Sequence, residues 1–318
     1  MNSKLAQTFS SLQHPNYRLW FTGQVISIVG TWMQATAQGF LVYELTQSAA
    51  FLGLVGFASG VPSWLFTLFG GVIADRVSRR KLLIIAQCAM MVLAFLLAFL
   101  VFTNLVQPWH VVVLAFLLGI ANAFDAPARQ AFVVELVGRA DMTNAIALNS
   151  SIFNIGTVIG PAIAGLVYSW LGPGWCFTIN GISYLAVIGA LLIMRLAAIP
   201  RQPRVRKPVL PELMVGIRFA FGNSNIRILM IVVAAVSVFG MGLMTLIPAW
   251  ASAVLQGDVR TNGWLLSARG VGSLIGALMI AYLGSRNMRG KIWAVGSLVL
   301  PMALIVFAIF KELPVSLI

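Results

Sequence analysis

Nine apolar runs, each long enough to cross a bilayer, leave almost no soluble fold open to this chain. A spanning helix needs about 20 mostly apolar residues. The runs are 17–43, 50–74, 82–103, 109–126, 144–170, 175–196, 226–250, 263–283 and 292–310. The Gly and Pro within them would damage soluble helices but are common in membrane bundles. Of 318 residues, 60% are hydrophobic and 9% charged, where a soluble domain carries roughly 25% charged residues. The expected fold class is therefore an all-α polytopic membrane protein with the lipid bilayer as its solvent.

The basic residues set its orientation. If the N-terminal tail is cytoplasmic, eighteen Lys and Arg fall on that side, only Arg260 and Lys311 fall on the other, and Arg269 lies inside a run. That asymmetry satisfies the positive-inside rule. The same placement disposes of nucleic acid as a partner for the net charge of +13, because the basic residues occupy short loops. Trp20, Trp109, Trp170, Trp175, Trp250, Trp264 and Trp293 fall near run ends and are expected as interfacial anchors. Cys88 and Cys176 lie far apart in apolar runs and read as small hydrophobes rather than a disulfide or metal pair. His14 and His110 flank helix starts, so no metal site and no cofactor are expected. The first run is long enough to span, which argues against a cleaved signal peptide.

One hinge stands out among the loops. Gly71-Val-Ile-Ala-Asp75-Arg76-Val-Ser-Arg79-Arg80-Lys81 holds one of only eight acidic residues beside four basic ones. Topology alone explains the cations but not Asp75. The longest segment between runs, 197–225, carries Pro200, Pro203, Pro208 and Pro211 among five basic residues, as a linker would. Leu213, Ile217, Phe219 and Phe221 predict a short amphipathic helix within it. Beyond it the chain echoes itself. Asn225-Ile-Arg-Ile matches Asn16-Tyr-Arg-Leu, and Ser285-Arg286 with Arg289-Gly290-Lys291 follows the Asp75 loop by about 210 residues. Parallel repeats of this kind belong to secondary transporters, with the substrate site between the halves. Six helices would complete the second half; three are present, and Pro314–Ile318 would start a fourth. Two readings stand, a piece of a longer chain or a shortened product.

Within the runs, Gln24, Ser27, Thr31, Gln34 and Gln38 fall in an arc of about 80° on the first helix. Such residues can glue helices together, but three glutamines on one stripe are costly against lipid, and the stripe is expected to line a wet path. Asn122 and Asn154 are candidates for the same wall. Neutral amides there suit uncharged or weakly charged amphipathic cargo. Gly156, Gly160 and Gly165 have the spacing of close helix packing, with Pro161 bending the fifth helix. The eighth helix is expected to approach at Gly272 and Gly276. Asp125 and Arg129 are four apart, although Pro127 between them puts a helical pair in doubt, and no carboxylate is expected at mid-depth of a span. Arg269 is an intramembrane charge and hence a functional candidate, or it snorkels outward, with Glu44 or Asp258 as partner.

These residues carry a resemblance. The Gly71–Lys81 stretch resembles the helix 2–3 loop motif of the major facilitator superfamily, with Ser78 where a Gly is usual. Gly156-Thr-Val-Ile-Gly160-Pro161-Ala-Ile-Ala-Gly165 resembles that superfamily's exporter motif in helix 5. The stretches Phe124–Arg129 and Asn144–Asn149 are similar to its transmembrane secretion effector branch, which includes siderophore exporters and macrolide efflux proteins. The resemblance implies the superfamily's fold: a six-helix N-terminal bundle over 1–196, a cytoplasmic linker over 197–225 and a truncated C-terminal bundle over 226–318. It implies alternating access, a small-molecule substrate, a proton gradient as driving force and a monomer in a bacterial plasma (inner) membrane. It makes Gly71, Asp75, Arg76, Arg79 and Arg80 a conformational switch, in which the Asp pairs with basic groups and the start of helix 11. Arg129 is the partner expected for Asp75 in this chain. It also makes the helix 5 glycines a gate and seal. The mid-helix-4 Arg of many proton-coupled drug exporters has no counterpart here.

Competing readings are weaker. A membrane-embedded enzyme would need a nucleophile elbow, an H-E-x-x-H or clustered acids, and none is in the sequence. A phosphate-binding Gly-rich loop with Lys is missing too. A transporter-derived sensor or scaffold would carry a soluble regulatory module, which the chain lacks.

Overall fold

The computed structural model describes residues 9–138, 140–196, 218–219, 221–283 and 289–317. A 3-10 turn at Ser10–Gln13 leads into α1 (Pro15–Thr46), α2 (Ala49–Arg76), α3 (Arg79–Phe102), α4 (Pro108–Val137), α5 (Met142–Leu171) and α6 (Pro173–Ile193). Then come α7 (Ser224–Ala249), extended by a π-turn at Trp250–Val254, α8 (Val259–Leu283), α9 (Arg289–Ile309) and the single turn α10 (Leu313–Ser316). Among the described residues, eight helices are long and apolar enough to cross a membrane. The ninth expected span lies in α9, whose apolar part covers Ala294–Ile309. The linker at 197–217, and with it most of the expected amphipathic helix, lies outside the described residues.

Local chemistry sets the boundaries. Proline opens α1, α4 and α6, where the missing N–H would have no intrahelical partner anyway. Gly138 at φ 71° and Gly172 at φ 91° end α4 and α5 in the left-handed region that glycine enters without a Cβ penalty. The connections within α1–α6 are short, so successive helices run antiparallel.

The largest departure from expectation is α4, which continues to Val137 instead of stopping at residue 126. Pro127 does remove the donor that would serve the Ala123 carbonyl four residues earlier. The neighbouring helix covers the loss: Gly70 of α2 packs so closely that a Cβ there would strike Ala123 O. The glycine hydrogen standing in that direction points at the freed carbonyl, a weak but favourable contact. The device recurs. Pro161 leaves Thr157 O without its donor, and a Cβ on Gly270 of α8 would lie 2.6 Å from that oxygen. Both prolines thus sit inside continuous helices.

The core of α1–α6 is split. One apolar cluster includes Met33, Phe40, Leu97, Val111 and Phe177, and the other includes Tyr17, Trp20, Leu83, Phe132 and Leu191. Between them lies a buried polar layer of Gln24, Ser27, Gln34, Gln87, Asp125, Asn180 and Ser183. Trp20 belongs to the second cluster, 1% exposed and edge-on to Phe132, so it is a core residue and not an interfacial anchor. Trp250 instead packs against Phe307. Trp109, Trp170, Trp175 and Trp264 are exposed near helix ends, as anchors should be.

The chain start is tied to the start of α5, at the same end of the bundle. His14 Nε2 lies 2.8 Å from Asp141 Oδ2, Ser11 Oγ donates to Asp141 O, and Tyr17 Oη donates to Ala145 O. The hydrogen bond from His14, and then that from Ser10, hold the Asp141 carboxyl below its ordinary range.

Candidate functional site

The polar stripe of α1 turns inward along its whole length. Gln24, Ser27 and Gln34 are buried, Thr31 and Gln38 border a central cavity, and Thr31 also borders a second, inner one. The central cavity, about 370 Å³, is walled by α1, α2, α4, α5, α6, α7 and α8. Its polar groups include Thr31, Gln34, Gln38, Asn122, Thr157, Asn180, Thr245 and Arg269. Most of the remaining wall is apolar, as ligand cavities usually are. Asn180 Nδ2 donates to Gln34 Oε1 at 2.7 Å and to Tyr184 Oη at 3.3 Å, fixing α6 to the stripe. Asn154 borders neither cavity; α5 contributes Thr157 and Pro161 to one and Phe153 to the other.

The inner cavity, about 240 Å³, shares Thr31, Asn122 and Tyr184 with the central one and adds Gln24, Gln87, Asp125 and Arg129. Here α4 corrects the sequence reading. The Asp125 side chain, 3% exposed, pairs with Arg129 in spite of Pro127, Nε to Oδ2 at 3.4 Å. Gln87 Nε2 donates to its other oxygen at 2.9 Å. Gln87 Oε1 and Gln24 Nε2 are buried without a partner among the described residues. Each such group costs about 1–3 kcal/mol, which a polar visitor to this cavity would relieve.

Arg129 therefore does not meet Asp75. The Asp75 carboxylate, 56% exposed, accepts from Arg79 at 3.3 Å. Arg79 in turn donates to Glu135 Oε1 at 2.7 Å and to Ala131 O at 3.2 Å, and Arg80 donates to Leu192 O at 2.9 Å. The loop is thereby braced on α4 and α6, with one acid facing out. Gly71 has open space, and the close-packing glycine at this end is Gly70.

The exporter-like glycines bring α5 into close contact with α1 and α8. Side chains at Gly156 and Gly160 would collide with Ile28 and Trp32 of α1, and one at Gly165 would lie 3.1 Å from Arg260 Cα of α8. From the α8 side the approach is made by Gly263, whose Cβ would lie 2.6 Å from Pro161 O, and by Gly270. Ser267 Oγ donates to Val158 O at 2.7 Å. Gly272 and Gly276, the positions expected from spacing, touch nothing within 4 Å. Arg260 donates to Ser169 Oγ at 2.8 Å and lies over the Trp170 ring, while Tyr168 Oη donates to Glu44. Further along α5 and α8, Ile146, Ile275 and Leu278 are exposed. Asp258 caps the start of α8, accepting from the Arg260 and Thr261 amides. Neither expected partner is therefore on Arg269, whose head is exposed at the central cavity.

Membrane-length helices packed around a central cavity have the architecture of the major facilitator superfamily. The fold matches a crystal structure of a bacterial homologue of the human lysosomal transporter Spinster in an inward-facing, unoccupied conformation. The TM-score is 0.71 at 18% identity, covering 95% of this chain and 71% of that one. The chain belongs to the transmembrane secretion effector family, whose model matches residues 6–318. Among its relatives are the staphyloferrin A transporter of Staphylococcus aureus, 27% identical over 85% of this chain and 69% of the relative, and the multidrug efflux pump Tap of Mycolicibacterium fortuitum, 28% identical over 91% and 72%. The enterobactin exporter EntS of Escherichia coli is 28% identical over 88% of this chain and 64% of its own length. The chain thus spans roughly two thirds of the length of these relatives.

Proposed function

We propose that this protein takes part in secondary active export of small amphipathic molecules, of the drug, macrolide or siderophore class, by alternating access. The observation that carries the proposal is the central cavity, faced by the α1 stripe and by α5 and α8, which pack closely together. Its relatives include two proteins named for siderophore transport and one for multidrug efflux. The proposed setting is a bacterial plasma membrane with the N-terminus cytoplasmic, in keeping with the distribution of Lys and Arg. There the Arg260 end faces out and the Asp125 end faces in. The proposed units are a six-helix bundle over 1–196, a linker over 197–225 and a second bundle beginning at 226; the proposed working form is a monomer.

The proton gradient is proposed as the energy source and Asp125 as the group that takes the proton. Ionised, it is held by Arg129 and Gln87; protonated, it loses the attraction of Arg129 and frees that cation to change partners. Asp75 is proposed as the switch, an exposed acid braced by Arg79 and available to the second bundle. Energised inverted vesicles loaded through the protein with dyes, antibiotics or siderophores test the reading. Accumulation that collapses with an uncoupler supports it, and accumulation equal to vesicles without the protein refutes it.

A further inference from the structure

We infer that Arg269 is the anion-binding group of the central cavity and that the cargo is an amphipathic molecule carrying a carboxylate. The inference rests on the export reading above and narrows it. The chain has eight acidic residues, and seven of them are described. Glu44 accepts from Tyr168, Asp75 and Glu135 from Arg79, Asp125 from Gln87 and Arg129, and Asp141 from Ser10 and His14. Asp258 caps its own helix and Glu312 stands before α10. None of the seven borders the central cavity.

Arg269 does border it, with no hydrogen bond or ion pair to another described residue. The lining around it is neutral and includes Thr31, Gln34, Asn122, Thr245 and Leu266. A guanidinium brings five N–H donors and no acceptor. In a largely apolar chamber its charge is expensive unless paired. The residue lines the cavity and stands ten residues beyond the start of α8. A carboxylate entering the chamber meets a planar donor fork suited to two parallel hydrogen bonds, while the apolar wall takes the rest of the molecule.

The test uses a matched pair of probes, dansylglycine, which carries a carboxylate, and dansylglycinamide, which does not. Binding to the purified protein in nanodiscs is followed by dansyl fluorescence. The expected result is that dansylglycine binds at least tenfold more tightly. Arg269→Gln weakens it about 10- to 100-fold without changing dansylglycinamide, and Arg269→Lys restores part of the loss. Equal binding of both probes to the wild type overturns the inference and leaves the export reading standing. A drop for both probes alike in Arg269→Gln assigns the residue to packing and also overturns it. Binding of neither probe to the wild type counts against the inference and the cargo cavity together.

Discussion

Arg129 and Arg269 each border one of the two cavities, in opposite electrostatic settings. Arg129 lies 3.4 Å from a carboxylate that is itself buried and held by a glutamine. Arg269 borders a chamber with no acid among its described walls. A matched pair is near neutrality and can be unmatched by one proton. An unmatched cation needs its partner delivered. On the proposed reading, the inner cavity serves energy coupling and the central one cargo.

Substitution at Asp125 should produce the largest effect. Asp125→Asn keeps the shape and the Gln87 contact but takes the counter-charge from Arg129, and uphill export in energised vesicles should fall at least about tenfold. Dansylglycine binding at Arg269 should stay within about twofold of the wild type. Loss of both together would mean that the two arginines share one function. The helix that carries Arg269 is probed next. Gly270→Leu pushes α8 off the Thr157 carbonyl and should lower stability by about 1–3 kcal/mol, read as a fall in Tm in detergent. Gly272→Leu, two residues along in open space, should change it by less than about 0.5 kcal/mol. A reversed order would move the seal elsewhere.

At the exposed loop the effect should be kinetic. Asp75→Asn breaks a surface ion pair worth about 0–1 kcal/mol, so Tm should barely change while the export rate drops several-fold; an unchanged rate removes the switch. The smallest effect is expected at Asp141, far from both arginines. Its carboxyl is held below the ordinary range by His14 and Ser10. Its contribution to stability is therefore present above that range and lost as pH falls through the lowered value. Asp141→Asn should flatten the acid side of a Tm-against-pH profile and leave the neutral side nearly unchanged.

Membrane helices and their order were legible because length and hydropathy are properties of single segments. The α1 stripe was legible for a similar reason, since five polar residues at helical spacing define a face without reference to neighbours. What the chain hid depends on pairs of helices. Pro127 put the Asp125–Arg129 pair in doubt because the glycine that covers the freed Ala123 carbonyl is on α2, more than fifty residues away. With α4 cut short, Asp125 looked like an edge residue and not the best-buried acid in the bundle. Gly263 and Gly270 lost to Gly272 and Gly276 on spacing alone, because spacing does not say which face meets α5. Asn180 and Tyr184 were missed although they stand one turn apart on α6, a signal that was available. Trp20 looked like an anchor because the turn and contacts that bury it come from the chain start and α4.

Solvent access to the α1 stripe tests the central claim most directly. In a protein with Cys88 and Cys176 replaced by Ala, single cysteines are placed by Thr31→Cys on the cavity face and Ile26→Cys on the exposed outer face of the same helix. Both are then challenged with a charged, membrane-impermeant thiol reagent in inverted vesicles. A wet cavity open toward the Asp125 side predicts rapid labelling of the Thr31→Cys protein and little of the Ile26→Cys protein. Labelling of the second and protection of the first would mean that the stripe does not line water, and the cavity could not be the path.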